Sequence, residues 1–365
     1  MKKIKINYKD YVLVIQRKND LKKLYIEITN ECNLNCKICF RRFWKDSIGQ
    51  MSFEQFQDIL KQAKEFPELE TVYLGGIGEP TIHPDFIKII KTVKEAGYRL
   101  EFGTNGTQIA KYADSLIEYG VDKIIASIDA PEPAIYRDIR GTDFFSIESN
   151  ILAIQKMKKK LRRSLPEIGI EVVVMKSNKN LLFGILQLAS KVGVNHILFS
   201  NLVPFNKLLT KEIVYDDSMD YKKLINDLNT AIGKYNVRLE FSKFNLQTER
   251  ICQFVEKKST VIRWDGEVAP CYRFLHSYNE FIFGRKKEVV AYSFGNTFKE
   301  KLSDIWTSKD YEVFRYNIKN SIYPSCTDCS LMDACSFTED TEFDCWGNNP
   351  SCADCLWARG IIKCP

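Results

Sequence analysis

The sequence has no apolar run that approaches the ~20 residues of a membrane-spanning helix. It also has no apolar signal region at its start, which reads Met-Lys-Lys-Ile-Lys, so nothing in it indicates export to an oxidising compartment. The net charge of +6 is mild for 365 residues and does not require a nucleic-acid partner. We therefore expect a cytoplasmic globular protein with reduced cysteines and no membrane partner.

The chain has twelve cysteines, but none of them lies between Cys39 and Cys252. Three lie in one short loop before this gap, and nine fall in the last 114 residues. This asymmetry separates the chain into two chemically different halves. We predict an N-terminal extension at 1–22, a core domain at 23–241 and a cysteine-rich domain at 242–365.

The early loop carries Cys32, Cys36 and Cys39 within eight residues. Three thiolates can hold three corners of a 4Fe-4S cluster, and the loop offers no fourth cysteine, so one iron would stay open for a substrate. A disulfide would leave one thiol over in this loop. Structural zinc prefers four ligands, and the next cysteine is more than two hundred residues away. The spacing therefore favours a cluster over zinc or inert thiols.

Residues 21–241 alternate between strand and helix patterns, which favours an α/β fold with a parallel sheet wrapped by helices. Strands are predicted at 23–29, 71–74, 99–103, 123–128, 169–175 and 196–200. Helices are predicted at 52–66, 85–96, 108–119, 147–160, 181–191 and 219–235. Six such units indicate a partial (β/α)6 TIM-like barrel, followed by a small cysteine-rich domain. In barrels of this kind the loops after the strands carry the chemistry, and the cysteine loop follows the first strand.

The later strand ends carry small polar residues and glycines. The second strand leads into a glycine-rich segment at 75–84, whose spacing fits neither the dinucleotide fingerprint nor the phosphate loop. The polar residues that follow the other strands are Thr104, Asn105, Ser127, Asp129, Lys176 and Asn201. Each would ordinarily be turn chemistry, but together they place polar groups around one rim.

With these motifs, residues 23 to about 205 resemble a radical S-adenosylmethionine (SAM) enzyme. The resemblance implies that Cys32, Cys36 and Cys39 are the catalytic cluster ligands and that the open iron binds SAM. It implies further that segment 75–80 receives the amino group, Ser127 and Asp129 lie near the ribose, Lys176 lies near the carboxylate and Ile38 packs near adenine. The cofactor-binding residues predicted in this way are Ile38, Gly75, Gly76, Gly78, Glu79, Thr104, Asn105, Ser127, Asp129 and Lys176.

The chemistry that this resemblance implies is reductive. One electron passes from the cluster to SAM and produces a 5′-deoxyadenosyl radical, which abstracts hydrogen from a substrate. Clusters held by cysteine reach the low reduction potentials that this step needs. The electron donor is expected to be a ferredoxin or a flavodoxin. The three histidines, His83, His196 and His276, need no catalytic role.

The second half opens with Cys252 and a predicted hairpin that turns at Asp265-Gly266 and ends on Cys271. This half resembles the SPASM extension of radical maturases, which implies two auxiliary 4Fe-4S clusters. The predicted ligands are Cys252, Cys271, Cys326, Cys329, Cys335, Cys345, Cys352, Cys355 and Cys364. By analogy, Cys326, Cys329 and Cys335 share a cluster with one of the last three cysteines, and Cys252 and Cys271 join Cys345 and one other. Two complete clusters leave one thiol over.

The pattern departs from the SPASM extension at Glu339, where a cysteine is usual. Zinc remains an alternative here, because Cys326-x2-Cys329 and Cys352-x2-Cys355 are two paired knuckles. Zinc would leave Cys335, Cys345 and Cys364 without a role, so auxiliary clusters are favoured.

The tail at 344–365 resembles the maturases associated with tungsten-containing aldehyde oxidoreductases. It implies that the substrate is the oxidoreductase or its tungsten-pterin cofactor.

A peptide maturase that forms thioethers or oxidises a sulfatase remains an alternative, although Tyr272 stands where the sulfatase branch has an aspartate. Molybdopterin biosynthesis is disfavoured, because that branch ends in paired glycines. A further alternative is a non-enzymatic iron-sulfur or zinc scaffold that binds a metalloenzyme or RNA, for which 156–163 is the only basic feature. A nucleic-acid partner is therefore not expected.

Overall fold

One sheet of nine strands organises the chain, and its central strands are parallel. The structure is a computed structural model that describes residues 3–8, 10–44, 46–215 and 221–364. A separate hairpin of β1 (Lys3–Tyr8) and β2 (Tyr11–Gln16) precedes the sheet. The sheet strands are β3 (Lys23–Ile26), β4 (Thr71–Leu74), β5 (Arg99–Thr104), β6 (Lys123–Ser127), β7 (Glu167–Val174), β8 (His196–Asn201), β9 (Arg238–Phe241), β10 (Ser259–Ile262) and β11 (Val268–Ala269). Their order is β11-β10-β3-β4-β5-β6-β7-β8-β9.

Helices pack on the sheet through apolar faces. The first, α1 (Phe53–Ala63), starts at a capping box in which Ser52 and Gln55 satisfy each other's backbone amides. Its residues Phe56, Ile59 and Leu60 are buried against the sheet. The other helices of this half are α2 (Phe86–Glu95), α3 (Ala113–Glu118), α4 (Pro133–Arg140), α5 (Phe144–Leu161), α6 (Leu182–Val192) and α7 (Lys222–Tyr235).

The α/β fold class is confirmed, and each of the six predicted strands overlaps an observed one. Among the described residues the sheet stays open, since its edge strands β9 and β11 do not pair with each other. The predicted helix at 219–235 begins in residues that lie outside the described ranges, and α7 covers the rest. The hairpin of β1 and β2, helix α4 and strand β9 were not predicted.

The second half of the chain contributes to the same sheet. Strand β10 pairs in parallel with β3, so that Thr260 lies opposite Leu24. The predicted hairpin is present, with β10 and β11 antiparallel and with Gly266 at a φ of +88°, which favours glycine. The remaining elements of this half are α8 (Gln253–Glu256), β12 (Tyr278–Ile282), β13 (Arg285–Val289), α9 (Leu302–Trp306) and α10 (Lys309–Lys319).

The C-terminal tail returns to the end of β8. The Ser200 hydroxyl donates to the Lys363 carbonyl at 2.9 Å, and the Asn201 side-chain amide donates to the Ile361 carbonyl at 2.9 Å. These bonds hold the last described residues over the carboxyl ends of the strands. No helix among the described residues has the length and apolar character needed to cross a membrane.

Candidate active site and cysteine clusters

A cavity of about 330 Å³ lies at the carboxyl ends of the parallel strands. All three cysteines of the early loop line it. The other predicted site residues on its wall are Ile38, Gly75, Gly76, Gly78, Glu79, Thr104, Asn105, Ser127 and Cys364. The structure thus brings together the cysteine loop and the polar strand ends, as expected for parallel strands whose ends share one edge.

Backbone hydrogen bonds fix the cysteine loop. The Cys39 amide donates to the Cys36 carbonyl at 3.1 Å, and the Lys37 amide donates to the Ile139 carbonyl at 2.8 Å. Burial raises the pKa of the Cys32 and Cys39 thiols, so they favour the protonated form unless a cation stabilises the thiolate. A metal centre is a suitable cation for this purpose.

The glycine-rich segment presses against the cysteine loop, and this close approach requires glycine. A Cβ on Gly76 would lie 2.4 Å from Oε1 of Glu27, and a Cβ on Gly78 would lie 2.3 Å from the Thr29 carbonyl oxygen. The Glu79 amide also donates to the Glu31 carbonyl at 2.7 Å. Backbone atoms of this segment therefore stand beside the cluster loop, where a ligand can reach them.

The Glu79 carboxylate has a structural task. Its Oε1 accepts from the Thr81 and Thr104 hydroxyls at 2.6 and 2.8 Å, and its Oε2 accepts from the Asn105 amide at 2.6 Å. Burial raises its pKa, and these donors oppose that effect. Glu79 therefore ties the end of β4 to the end of β5.

Asp129 lies behind the cavity wall and forms an ion pair with Arg140, a residue that the sequence analysis did not identify. Its Oδ2 accepts from Arg140 Nε at 2.6 Å, its Oδ1 accepts from the Val173 amide at 2.8 Å, and its side chain is fully buried. Arg140 lines the cavity, whereas Asp129 and Lys176 are not among the lining residues. The Lys176 amide instead donates to the Glu212 carbonyl. Arg140 is therefore a cation on the cavity wall that the sequence analysis missed, and the role of Lys176 stays a prediction.

Glu171 is a second functional candidate that the sequence did not reveal. It lies on β7 opposite Ser127 in the strand register, and both side chains line the cavity. Burial raises the pKa of Glu171 to about 7; the charge of Asp129 adds to this shift, while Arg140 opposes it. The only sequence signal was one acidic residue within an apolar strand, at a position of the same parity as Val173.

Residues of the second half close the cavity. Trp357, Ile362, Lys363 and Cys364 line it, and the Trp357 indole donates to Cys364 Sγ at 3.1 Å. The Tyr272 hydroxyl donates to the Gly75 carbonyl at 3.2 Å. The tail and the first half of the chain therefore build one site together.

A buried histidine also joins the two halves. His276 Nε2 contacts Oε2 of Glu27 at 3.0 Å, His276 Nδ1 contacts Oδ2 of Asp46 at 2.8 Å, and the Ile77 amide donates to Oε1 of Glu27 at 3.0 Å. Burial alone lowers the pKa of His276, but the two carboxylates outweigh it and raise the pKa above 6.5.

We therefore expect His276 to stabilise the fold fully below pH 6.5 and to lose this contribution as pH rises through its folded pKa. Urea unfolding of the wild type and of His276→Gln across pH 5.5–9 measures the effect, and the difference between the two should shrink as pH rises. His196→Gln is the matched control, because burial lowers the pKa of His196 and gives a dependence of opposite sign. A His276→Gln difference that grows with pH would contradict the expectation.

A second cavity of about 170 Å³ lies in the cysteine-rich half. Cys252, Cys271, Cys352 and Cys355 line it together with Arg273. Burial raises the pKa of all four thiols, to about 12 for Cys252, and the charges of other cysteines in this group add to the shifts of Cys252, Cys271 and Cys352. We call these four cysteines the proximal set.

The distal set consists of Cys326, Cys329, Cys335 and Cys345. Burial raises the pKa of Cys326 to about 11, and the charges of Asp354 and, less strongly, Cys345 add to this shift. Burial and the charge of Asp344 raise the pKa of Cys345, and the charges of Cys335 and Cys329 contribute less. The second cavity therefore brings Cys352 and Cys355 together with Cys252 and Cys271, which differs from the predicted grouping, while the ligand role of Cys345 stays a prediction.

Cys364 is the ninth thiol of this half and borders both cavities. An aromatic wall of Tyr25, Tyr73, Phe254 and Tyr272 also separates them, with ring centroids 5.0–5.6 Å apart. Tyr73 and Tyr272 face the first cavity, and Tyr25 and Phe254 face the second. The two cavities are therefore neighbours across one ring layer.

Comparison with known proteins decides the family. The family model "Radical SAM superfamily" matches residues 26–180, and the model SPASM, described as an iron-sulfur cluster-binding domain, matches 252–330. The chain is 46% identical over 347 residues, 94% of its length and 97% of the relative, to the tungsten-containing aldehyde ferredoxin oxidoreductase cofactor-modifying protein of Pyrococcus furiosus. The chain belongs to the radical SAM superfamily. It is a radical SAM enzyme with a SPASM domain, as the sequence predicted.

More distant relatives share parts of this radical SAM enzyme. A probable GTP 3′,8-cyclase of Saccharolobus islandicus is 29% identical over 212 residues, which are 57% of this chain and 66% of the relative. Streptococcus suis SuiB superposes with a TM-score of 0.63 at 16% identity, covering 87% of this chain and 72% of SuiB. The enzyme anSMEcpe with bound S-adenosylmethionine superposes with a TM-score of 0.61 at 18% identity, covering 93% of each chain. These structures support the fold.

Among the residues that the structure describes, no group of three or more His, Cys, Asp or Glu is arranged to hold one metal ion. In a 4Fe-4S cluster each thiolate binds a different iron, so its ligands do not have to meet at one ion.

Proposed function

We propose that this radical SAM enzyme cleaves SAM in the first cavity and acts in the maturation of a tungsten-containing aldehyde oxidoreductase. The observation that carries the first part is the cavity itself, where Cys32, Cys36 and Cys39 face the glycine-rich segment and the polar strand ends. The second part rests on 46% identity, over 97% of its length, to the cofactor-modifying protein of Pyrococcus furiosus. The substrate is then the oxidoreductase or its cofactor.

The cavity offers complementary groups for each part of SAM. The guanidinium of Arg140, held by Asp129, suits the carboxylate, and the backbone of segment 76–78, which lines the cavity, suits the amino group. Ser127 supplies a hydroxyl for the ribose, and Ile38 supplies an apolar surface for adenine. This assignment keeps the predicted roles of Ser127 and Ile38, gives the carboxylate to Arg140 and makes Asp129 a positioning residue.

When bound, the 4Fe-4S cluster supplies the electron that cleaves SAM and yields a 5′-deoxyadenosyl radical. The chain's own residues bind and orient SAM and exclude water from it. Phe40 stacks on Tyr278 with centroids 4.4 Å apart and contacts Phe205 at 5.0 Å, and all three rings line the cavity. Such an apolar wall protects a reactive species from solvent.

We propose that Glu171 on β7 and the tail residues Trp357, Lys363 and Cys364 contact the substrate, because all four line the cavity and none of them is assigned to a part of SAM. The three tail residues come from the segment that resembles the maturases of tungsten-containing aldehyde oxidoreductases. A sulfatase-type reaction is disfavoured further, since Tyr272 replaces an aspartate and its hydroxyl is bonded to Gly75. The proposed electron donor is a ferredoxin or a flavodoxin. The proposed location of the protein is the cytoplasm.

The SPASM domain holds two auxiliary 4Fe-4S clusters in this proposal, one on each four-cysteine set. Cys364 is then a cavity residue and not a ligand. We expect about twelve irons per chain in the anaerobically reconstituted wild type. Cys355→Ser should lose about four of them, and Cys364→Ser should keep them all. Iron and sulfide analysis measures both variants; equal losses would instead make Cys364 a ligand.

Two assays test the proposed function. Reduced wild-type protein with SAM should yield 5′-deoxyadenosine, and no cleavage by iron-replete protein would refute the enzymatic part. For the substrate, a tungsten-containing aldehyde oxidoreductase is produced in a host with and without this protein. We expect an active enzyme with an altered cofactor mass only when the protein is present; an identical cofactor in both cases would refute the maturation role.

A further inference from the structure

A network of buried charges lies between the proximal and the distal cysteine sets. Arg273, Glu280, Asp354 and Lys287 are each at most 1% exposed. Asp354 binds Arg273 at 3.0 Å, Arg285 at 3.2 Å and Lys287 at 2.9 Å. The five groups comprise three cations and two carboxylates, so the network carries a net positive charge beside thiols that become anionic when they bind metal.

Arg273 is the member of this network that reaches the proximal set. It lines the same cavity as Cys252, Cys271, Cys352 and Cys355. Its Nε donates to Glu280 Oε1 at 3.2 Å, and its Nη2 donates to Asp354. Its Nη1 is buried and has no hydrogen-bond partner among the residues that the structure describes. An unpartnered guanidinium N–H in a dry site is costly, so a ligand of the cavity is its natural acceptor.

The sulfurs of an iron-sulfur cluster are such acceptors. Hydrogen bonds to the sulfurs and nearby charge set the reduction potential of a cluster. A donor and a positive charge stabilise the reduced form more, because reduction adds one negative charge. We propose that Arg273 donates from Nη1 to a sulfur of the cluster held by the proximal set and raises that cluster's reduction potential.

This inference rests on the proposed cluster at these four cysteines. Glu280 and Asp354, which do not line the cavity, hold the guanidinium in place and make Arg273 a rigid donor. The charges of Arg273 and Cys355 are close enough to shift each other's pKa.

The reduction potential of the proximal cluster is measured on the full chain with Cys32, Cys36 and Cys39 replaced by alanine. In this protein only the auxiliary clusters give EPR signals. The proximal signal is the one that a further Cys355→Ser substitution removes. In that background we expect Arg273→Lys to make reduction of the proximal cluster at least tenfold less favourable, which is about 59 mV for a one-electron couple. Arg315→Lys is the matched control, because the Nη1 of Arg315 is also buried without a hydrogen-bond partner among the described residues, and Arg315 does not line the cavity.

An unchanged or higher potential in Arg273→Lys would overturn the proposal, whereas iron analysis that finds no cluster at Cys355 would overturn the cluster assignment beneath it. If Arg273→Lys does not load iron, the hydrogen bond is tested instead in protein that keeps Arg273 and carries only the three alanine replacements. This protein is labelled with ¹⁵N in the arginine guanidinium groups, and pulsed EPR of its reduced proximal cluster should show ¹⁵N hyperfine coupling. Protein labelled with ¹⁵N-lysine is the control. Absence of that coupling would refute the hydrogen bond.

Discussion

Replacing Cys36 with alanine is expected to abolish the formation of 5′-deoxyadenosine from SAM completely. The early loop supplies only three thiols, and two cannot hold the cluster that delivers the electron. Iron content should fall by about four per chain, while the iron of the SPASM domain stays bound. Anaerobic reconstitution, reduction and chromatographic detection of 5′-deoxyadenosine measure the first effect, and iron analysis measures the second.

The structure indicates that this loss would reflect ligation and not unfolding. The Cys36 backbone carbonyl accepts from the Cys39 amide, a bond that alanine retains, and the loop also keeps the bond from the Lys37 amide to Ile139. Asn35→Ala is the matched control, because Asn35 is exposed in the same loop and does not line the cavity. Cleavage by Cys36→Ala at a measurable rate, or equal loss in Asn35→Ala, would contradict the assignment.

The local elements of the fold were predictable because their signals are local. Strand β4 was predicted with its observed bounds, since a short apolar run is followed at once by two glycines. Helix α1 was predicted from the cap at Ser52 and its apolar stripe. Strand β10 was predicted as part of a hairpin, but its pairing with β3 joins residues 236 positions apart, as with Ser259 and Lys23. Nothing in the nearby sequence encodes that contact.

The site was predictable where a motif carries it and not where tertiary contacts do. Cys32, Cys36 and the glycine-rich segment were found by spacing, and the structure places them on one cavity. Arg140 was missed because its role depends on Asp129, a partner on a different element. The order of nine cysteines likewise allows many groupings, and only the fold brings Cys252 and Cys271 to one cavity with Cys352 and Cys355.

Replacing Asp354 with asparagine is expected to lower the free energy of unfolding by about 3–5 kcal/mol. Asp354 is fully buried and binds Arg273, Arg285 and Lys287. Asparagine keeps the shape but removes the charge, which leaves three cations to share the single carboxylate of Glu280. Although burial opposes ionisation, Arg273 and Lys287 hold the pKa of Asp354 at about 2, below its usual 3.8. Its contribution is therefore full above pH 3.8 and lost as pH falls through about 2.

Urea unfolding at pH 7, followed by circular dichroism under anaerobic conditions, measures the difference. Asp58→Asn is the matched control, because Asp58 forms an exposed ion pair with Lys61 at 2.8 Å and should cost less than about 1 kcal/mol. The size of the effect follows from desolvation: an exposed cation that loses its partner regains water, whereas Arg273 and Lys287 cannot. Equal unfolding midpoints for Asp354→Asn and Asp58→Asn would show that the buried network does not stabilise the cysteine-rich half.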